Sequence, residues 1–185
     1  DRATSADQLA NNVFDKIKEY TGLSNWPFKL VAPEYYQPQH FQLKSHQLVV
    51  RGTGQNEPQT SQYQNMLANP SDQLTVSYDP VQMNQPQVMV SNYVSMLSSY
   101  LMGVSNQQPP GGEEYRAPAT EILSIFMGFG VMFANTAYAF RGGCSSCHNH
   151  AANRVAVLSE NEAIYALALF CRLKDIETKT VTPHL

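Results

Sequence analysis

The segment Arg141-Gly142-Gly143-Cys144-Ser145-Ser146-Cys147-His148-Asn149-His150 gathers two thiols and two imidazoles in seven residues, from Cys144 to His150. Such groups support three chemistries. C-x-x-C-H is the pattern of covalent haem c attachment, in which Cys144 and Cys147 would bond the vinyl groups and His148 would be an axial ligand. Cys144, Cys147, His148 and His150 are also potential zinc ligands. Four ligands in so short a stretch crowd one tetrahedral ion, and structural zinc sites draw on two separated pairs. The third reading is a local disulfide between Cys144 and Cys147, or a reduced pair open to thiol exchange. No thioredoxin-like βαβ pattern surrounds the pair, which disfavours a redox enzyme. A haem would also need a large apolar pocket. The disulfide or reduced pair is therefore the leading reading of this loop, with haem c and zinc as alternatives.

A second place for chemistry is notable for what it lacks. The late part of the chain reads S-M-L-S-S-Y-L from Ser95, A-P-A-T-E-I-L-S-I-F-M-G-F-G-V-M-F-A-N from Ala117, and V-L-S-E-N-E-A-I-Y-A-L-A-L-F from Val157. Over residues 74–173 this resembles a family of bacterial zincin-like proteins of poorly defined activity. The family pattern runs H-E-L-x-H-Y-L, then E-x-x-T-D-L-x-x-V-F-x-G-x-G-x-x-x-A-N, then G-Y-L-S-E-x-E-x-A-Y-A-L-A-L-F. The segment around Gly128, Gly130 and Asn135 and the segment Leu158 to Phe170 carry most of the likeness.

In a zincin, two histidines four residues apart lie one helical turn apart and bind one Zn²⁺, while the glutamate between them takes a proton from the bound water. The resemblance places the first ligand at Ser95, the general base at Met96, the second ligand at Ser99 and the third at Ala117. Serine hydroxyls are poor zinc ligands, methionine accepts no proton at neutral pH, and alanine offers no donor atom. The resemblance therefore implies a zincin-like scaffold with its metal chemistry lost, a pseudoenzyme. Without the family, the same stretch reads as a core helix over Val88 to Met102 with Val90, Val94, Leu97 and Leu101 as its apolar stripe. Both readings expect no metal there. Thr120 and Glu121 keep the character of the family's Thr-Asp pair, and Glu121 reads most simply as an acid favoured in the first turn of a helix by the dipole.

The elements around these positions follow from spacing and breakers. An amphipathic helix is expected over Ser5 to Tyr20, with Leu9, Val13, Phe14 and Ile17 on one face and Gly22 as its C-cap. Strands are expected at Trp26 to Val31, at Gln47 to Arg51 and at Leu74 to Tyr78, with a polar, Gln/Asn-rich connection over Gln55 to Gln73. A helix from Pro86 to Met102 is stopped by Gly103. After the breaker Pro109-Pro110-Gly111-Gly112, a helix opened by Pro118 carries an uncharged run from Ile122 to Phe140 and ends at Gly142-Gly143. That run nears the ~20 apolar residues of a membrane span. Its Ser124, Asn135, Thr136 and two glycines suit a helix buried in its own domain at least as well. The final helix starts at the capping box Ser159-Glu160-Asn161-Glu162 and runs to about Lys174. On it, Cys171 is expected as a buried thiol.

These elements predict an α+β fold, with a small sheet early followed by three packed helices of zincin-like type. The 185 residues suit a single domain: 1–73 as N-terminal helix, strands and polar connection, 74–176 as the zincin-like helical part, and 177–185 as tail. Net charge is −3 and charged residues make up 15%, with no basic stripe, so no nucleic-acid partner is expected. His40 and His46 read as surface histidines. Tyr35, Tyr36 and Phe41 suit an interface or a cap on the sheet. The first residue is Asp1, which suggests a processed, exported chain.

The function expected on these grounds is a non-catalytic structural or interaction subunit of a bacterial envelope assembly, with a secretion system as one concrete version. It would lie in the periplasm or on the outer membrane, bind other protein subunits of a larger complex, and associate with the membrane through partners or an upstream anchor. The alternatives are a c-type haem electron-transfer protein built on Cys144 to His148, and a metallohydrolase with displaced ligands.

Overall fold

The computed structural model describes residues 5–36, 74–105, 107–137 and 155–185. They fall into two compact units, one within Asp1–Pro80 and Gly103–Asn106, the other within Val81–Met102 and Gln107–Leu185. The architecture is α+β, mostly helical with a small two-stranded parallel sheet. The strand expected at Gln47 to Arg51 lies outside the described residues, as do His40, His46 and Phe41.

In the first unit, helix α1 spans Ala6–Tyr20 and strands β1 and β2 span Phe28–Val31 and Leu74–Ser77. Ser5 caps α1 by accepting from the Gln8 N–H at 3.1 Å. At the other end Gly22 sits at φ 73, which lets the Leu23 N–H reach back to the Lys18 carbonyl at 2.7 Å and close the helix. The buried face of α1 is Ala10, Phe14 and Ile17. Leu9, expected in that stripe, is exposed, and the small Ala10 is fully buried instead. Phe14 meets Phe28 of β1 edge to face at 6.4 Å. The strands pair in parallel, Phe28 opposite Leu74 and Val31 opposite Ser77. Tyr35 and Tyr36 are exposed beyond β1.

The second unit is helical. Helix α2 spans Pro86–Val104, α3 Arg116–Ser124, α4 Gly130–Thr136, α5 Glu160–Leu173 and the short α6 Thr178–Val181. Gly103 does not stop α2, which continues through it to Val104. Pro86 sits at the first position of α2, where it lacks only an N–H that would have no helical acceptor. The buried face of α2 is Met89, Ser91, Tyr93, Val94, Leu97, Ser98 and Tyr100. The expected Val94 and Leu97 are fully enclosed, while Val90 and Leu101 are half-buried.

The uncharged run after Glu121 is two helices rather than one. Helix α3 begins at Arg116, two residues before Pro118, and a π-helical turn over Ile125–Phe129 separates it from α4. Gly128 in that turn has φ 100, a conformation that L side chains disfavour, and the chain re-enters a helix at Gly130. By length and composition, the helical stretch Glu113–Thr136 is long and apolar enough to cross a membrane. Here it is interrupted at Gly128, and it buries Ile125, Gly130, Phe133 and Ala134 in its own unit. Gly130 lets α4 lie close to α5: a Cβ there would lie 2.6 Å from Leu167 Cδ1 and 3.1 Å from Ile125 Cγ2.

Helix α5 carries both arms of the expected capping box. The Glu162 N–H donates to Ser159 Oγ at 3.4 Å, and the Ser159 N–H donates to Glu162 Oε2 at 2.8 Å. The Ser159 hydroxyl and N–H hold the Glu162 carboxyl below its ordinary range. Cys171 is buried as a free thiol. The helix ends with Asp175 in the left-handed region, φ 53, and the Ile176 N–H bonded to the Cys171 carbonyl at 2.9 Å. What read as a plain charged tail forms α6 and a 3-10 turn, Thr182–His184.

Candidate functional site

The positions that the resemblance assigns to a metal site lie on α2 and at the start of α3. Ser95 and Ser99 are four residues apart and so share a helical face. Ser95 is half-buried, Ser99 exposed, and Met96 half-buried between them. Ala117 is exposed in the first turn of α3. These side chains offer two hydroxyls, a thioether and a methyl group. A divalent zinc ion takes thiolate, imidazole or carboxylate ligands, so this set does not fit one. Among the described residues, no three His, Cys, Asp or Glu side chains come together. The Cys144-to-His150 loop, with its haem, zinc and disulfide readings, lies outside the described residues.

One turn after Ala117, α3 carries the buried Glu121. It is the sixth residue of α3, past the first turn, so its role is not the dipole contact expected from the sequence. Its side chain is buried, and its two oxygens accept the backbone N–H groups of Val157 (Oε1, 2.9 Å) and Leu158 (Oε2, 2.9 Å). The next N–H, of Ser159, goes to Glu162. Three successive backbone donors at the entrance to α5 thus meet two carboxylates of the same chain. A helix N-terminus with converging N–H groups is a ready anion site. Here the protein's own glutamate occupies it.

A line of small polar residues joins α2 to the α3–α4 pair. Ser98 and Ser124 are fully buried, with their hydroxyl oxygens 2.8 Å apart. Ser124 also has the Thr120 carbonyl within donating distance at 3.0 Å, and Ser98 has the Met127 sulfur at 3.2 Å. One turn or more away, Thr136 Oγ1 lies 3.2 Å from Ser91 Oγ. Burial of an unbonded hydroxyl costs about 1–3 kcal/mol, so pairing them across the helices removes a penalty as well as saving volume. The family pattern points to Ser95 and Ser99 and not to the buried Ser98 between them. The spacing Ser91, Ser95, Ser98 is the signal that could have found it, since it marks one side of a helix as small and polar.

Arg116 holds the other end of α2. Its guanidinium forks onto Glu113, with Nη2 to Oε2 at 2.8 Å, and Nη1 donates to the Met102 carbonyl at 3.0 Å. The last carbonyls of a helix have no acceptor role within it, and a cation there is favoured by the dipole. Arg116 holds the Glu113 carboxyl below its usual range, through the hydrogen bond first and its charge second. Burial pushes the Tyr100 phenol up.

The motif residues of the second segment also have structural tasks. Gly128 supplies the left-handed turn, Gly130 the close approach to Leu167, and Asn135 donates its side-chain N–H to the His184 carbonyl at 2.8 Å. None of them presents a group suited to acid–base work.

Comparison of the chain with protein families, with characterised proteins and with solved structures finds no match.

Proposed function

We propose that the chain is a non-catalytic zincin-like domain that serves as a structural or interaction subunit of a bacterial envelope assembly, for which a secretion system is the concrete version. The observation that carries this reading is the role of Glu121. The buried carboxylate one turn after the degenerate position Ala117 accepts two backbone N–H groups and fastens α3 to the entrance of α5. The serines and alanine at the ligand positions and the methionine at the base position support it from the side of chemistry. A group held this way organises a scaffold.

One purification tests the proposal. The protein should carry no stoichiometric zinc, show no Soret band after denaturation, and show no chelator-sensitive hydrolysis, and it should co-purify with larger protein partners. Ser95→Ala with Ser99→Ala should leave assembly intact. A covalent haem would replace this reading with an electron-transfer protein built on Cys144, Cys147 and His148. A turnover lost in the double serine variant would replace it with a hydrolase.

A further inference from the structure

Helix α5 turns one face inward and leaves another open. Ala163, Ala166, Leu167 and Cys171 are buried. On another side Tyr165 is 74% exposed, Leu169 45% and Leu173 63%. These three are spaced i, i+4, i+8, which makes an apolar stripe along the helix. Large apolar side chains aligned in this way on a soluble surface mark an interaction site more often than scattered ones do.

The charges on the same face identify the occupant. Glu162 precedes Tyr165 by three residues, and Arg172 follows Leu169 by three, so both share the stripe. The face is therefore acidic at its start, apolar in the middle and basic at its end. About the level of Leu167, Glu162 and Arg172 are each five residues away, and Tyr165 and Leu169 each two. A helix with that arrangement is complementary to itself when the second copy runs antiparallel. The geometry points to a second copy of this chain as the occupant of the α5 face, in an isologous pair. In that pair Glu162 faces Arg172 of the second copy, Tyr165 faces its Leu169, and the two helix dipoles oppose. Leu173 extends the apolar contact past each end. This inference stands apart from the loss of a metal site and holds or fails whether or not the chain is an enzyme.

A single helix pair buries an area at the low end of the range for specific interfaces, so association is weak and depends on concentration. Sedimentation equilibrium of the full chain from about 1 to about 200 µM reads it directly, since contacts of this size give dissociation constants on the order of micromolar. The expected result is a monomer–dimer equilibrium. Leu169→Arg should weaken it by about tenfold or more by placing an unpaired charge in the seam. Arg172→Glu should do the same by setting like charges opposite each other. Leu169 is solvent-facing on the monomer, so circular dichroism of Leu169→Arg should match the parent; Arg172 also sits in the last turn of α5, so Arg172→Glu should keep the helical spectrum with a small drop in melting temperature from the dipole. A chain that stays monomeric across the range overturns the proposal, including one whose α5 face binds a lipid vesicle or another protein instead. So do variants that dimerise as tightly as the parent.

Discussion

The Leu158 N–H donates to Glu121 Oε2 at 2.9 Å, so a carboxylate from α3 closes the N-terminus of α5 across 37 residues of chain. The neighbouring Val157 N–H bonds the other oxygen, which fixes the carboxylate in two directions. This is a long-range version of the helix cap, with the acceptor supplied by a different helix.

Glu121→Gln keeps the shape of the side chain but leaves one acceptor oxygen, and it turns an N–H₂ donor toward a backbone donor. Hydrogen bonds to charged groups are worth about 1.5–3 kcal/mol each. The variant should therefore lose about 2 kcal/mol or more of unfolding free energy in urea. An acid acting only on a helix dipole would cost about 0.3–1 kcal/mol, so a loss within or below that range would show that the two bonds carry little.

Tyr78 donates from its hydroxyl to the Asp7 carboxylate, joining the end of β2 to the first turn of α1. That hydrogen bond, then burial, then the Asp7 charge push the phenol up to about 12 from an ordinary 10. The folded protein thus holds this proton more tightly than the unfolded chain does. Its contribution is complete below pH 10 and declines as pH rises toward about 12. In alkaline unfolding, Tyr78→Phe should remove that part of the pH dependence. An unchanged alkaline limb in the variant would place the dependence on other groups.

Gly130 and Gly128 should respond to alanine for different reasons. At Gly130 the new methyl meets Leu167 Cδ1 at 2.6 Å, and overpacking of this kind costs about 1–3 kcal/mol. At Gly128 a Cβ has open space, and the penalty is the left-handed backbone, about 1–2 kcal/mol. Leu167→Ala should relieve the first variant and leave the second unchanged in a double-mutant cycle. Equal coupling of both glycines to Leu167 would contradict the assignment.

Asp175 adopts φ 53 at the end of α5, where glycine has no steric cost. Asp175→Gly should raise the thermal midpoint, by the equivalent of up to about 1 kcal/mol. A lower midpoint would mean that the aspartate side chain contributes something the backbone geometry does not show.

The elements set by neighbours in sequence were legible from the chain. The Ser159–Glu162 box, Gly22 after α1 and the burial of Phe14, Ile17, Val94, Leu97 and Cys171 follow from spacing, because capping and helical periodicity act over three or four residues. The break at Gly128 was not legible. Glycine inside an apolar helical run is compatible with a continuous helix, and the left-handed φ at Gly128 and the close approach of Gly130 to Leu167 and Ile125 belong to the fold rather than to any local signal.

The amino-acid order alone determined the chemistry that the α2 positions can offer, because functional groups belong to residue types: hydroxyls at Ser95 and Ser99, a thioether at Met96, a methyl at Ala117. It could not assign Glu121 or Ser98 their partners. A buried carboxylate or hydroxyl is satisfied by whichever donor or acceptor the fold brings within about 3 Å. For Glu121 those donors lie more than thirty residues away, and for Ser98 the Ser124 hydroxyl lies on another helix. Tertiary structure decided both.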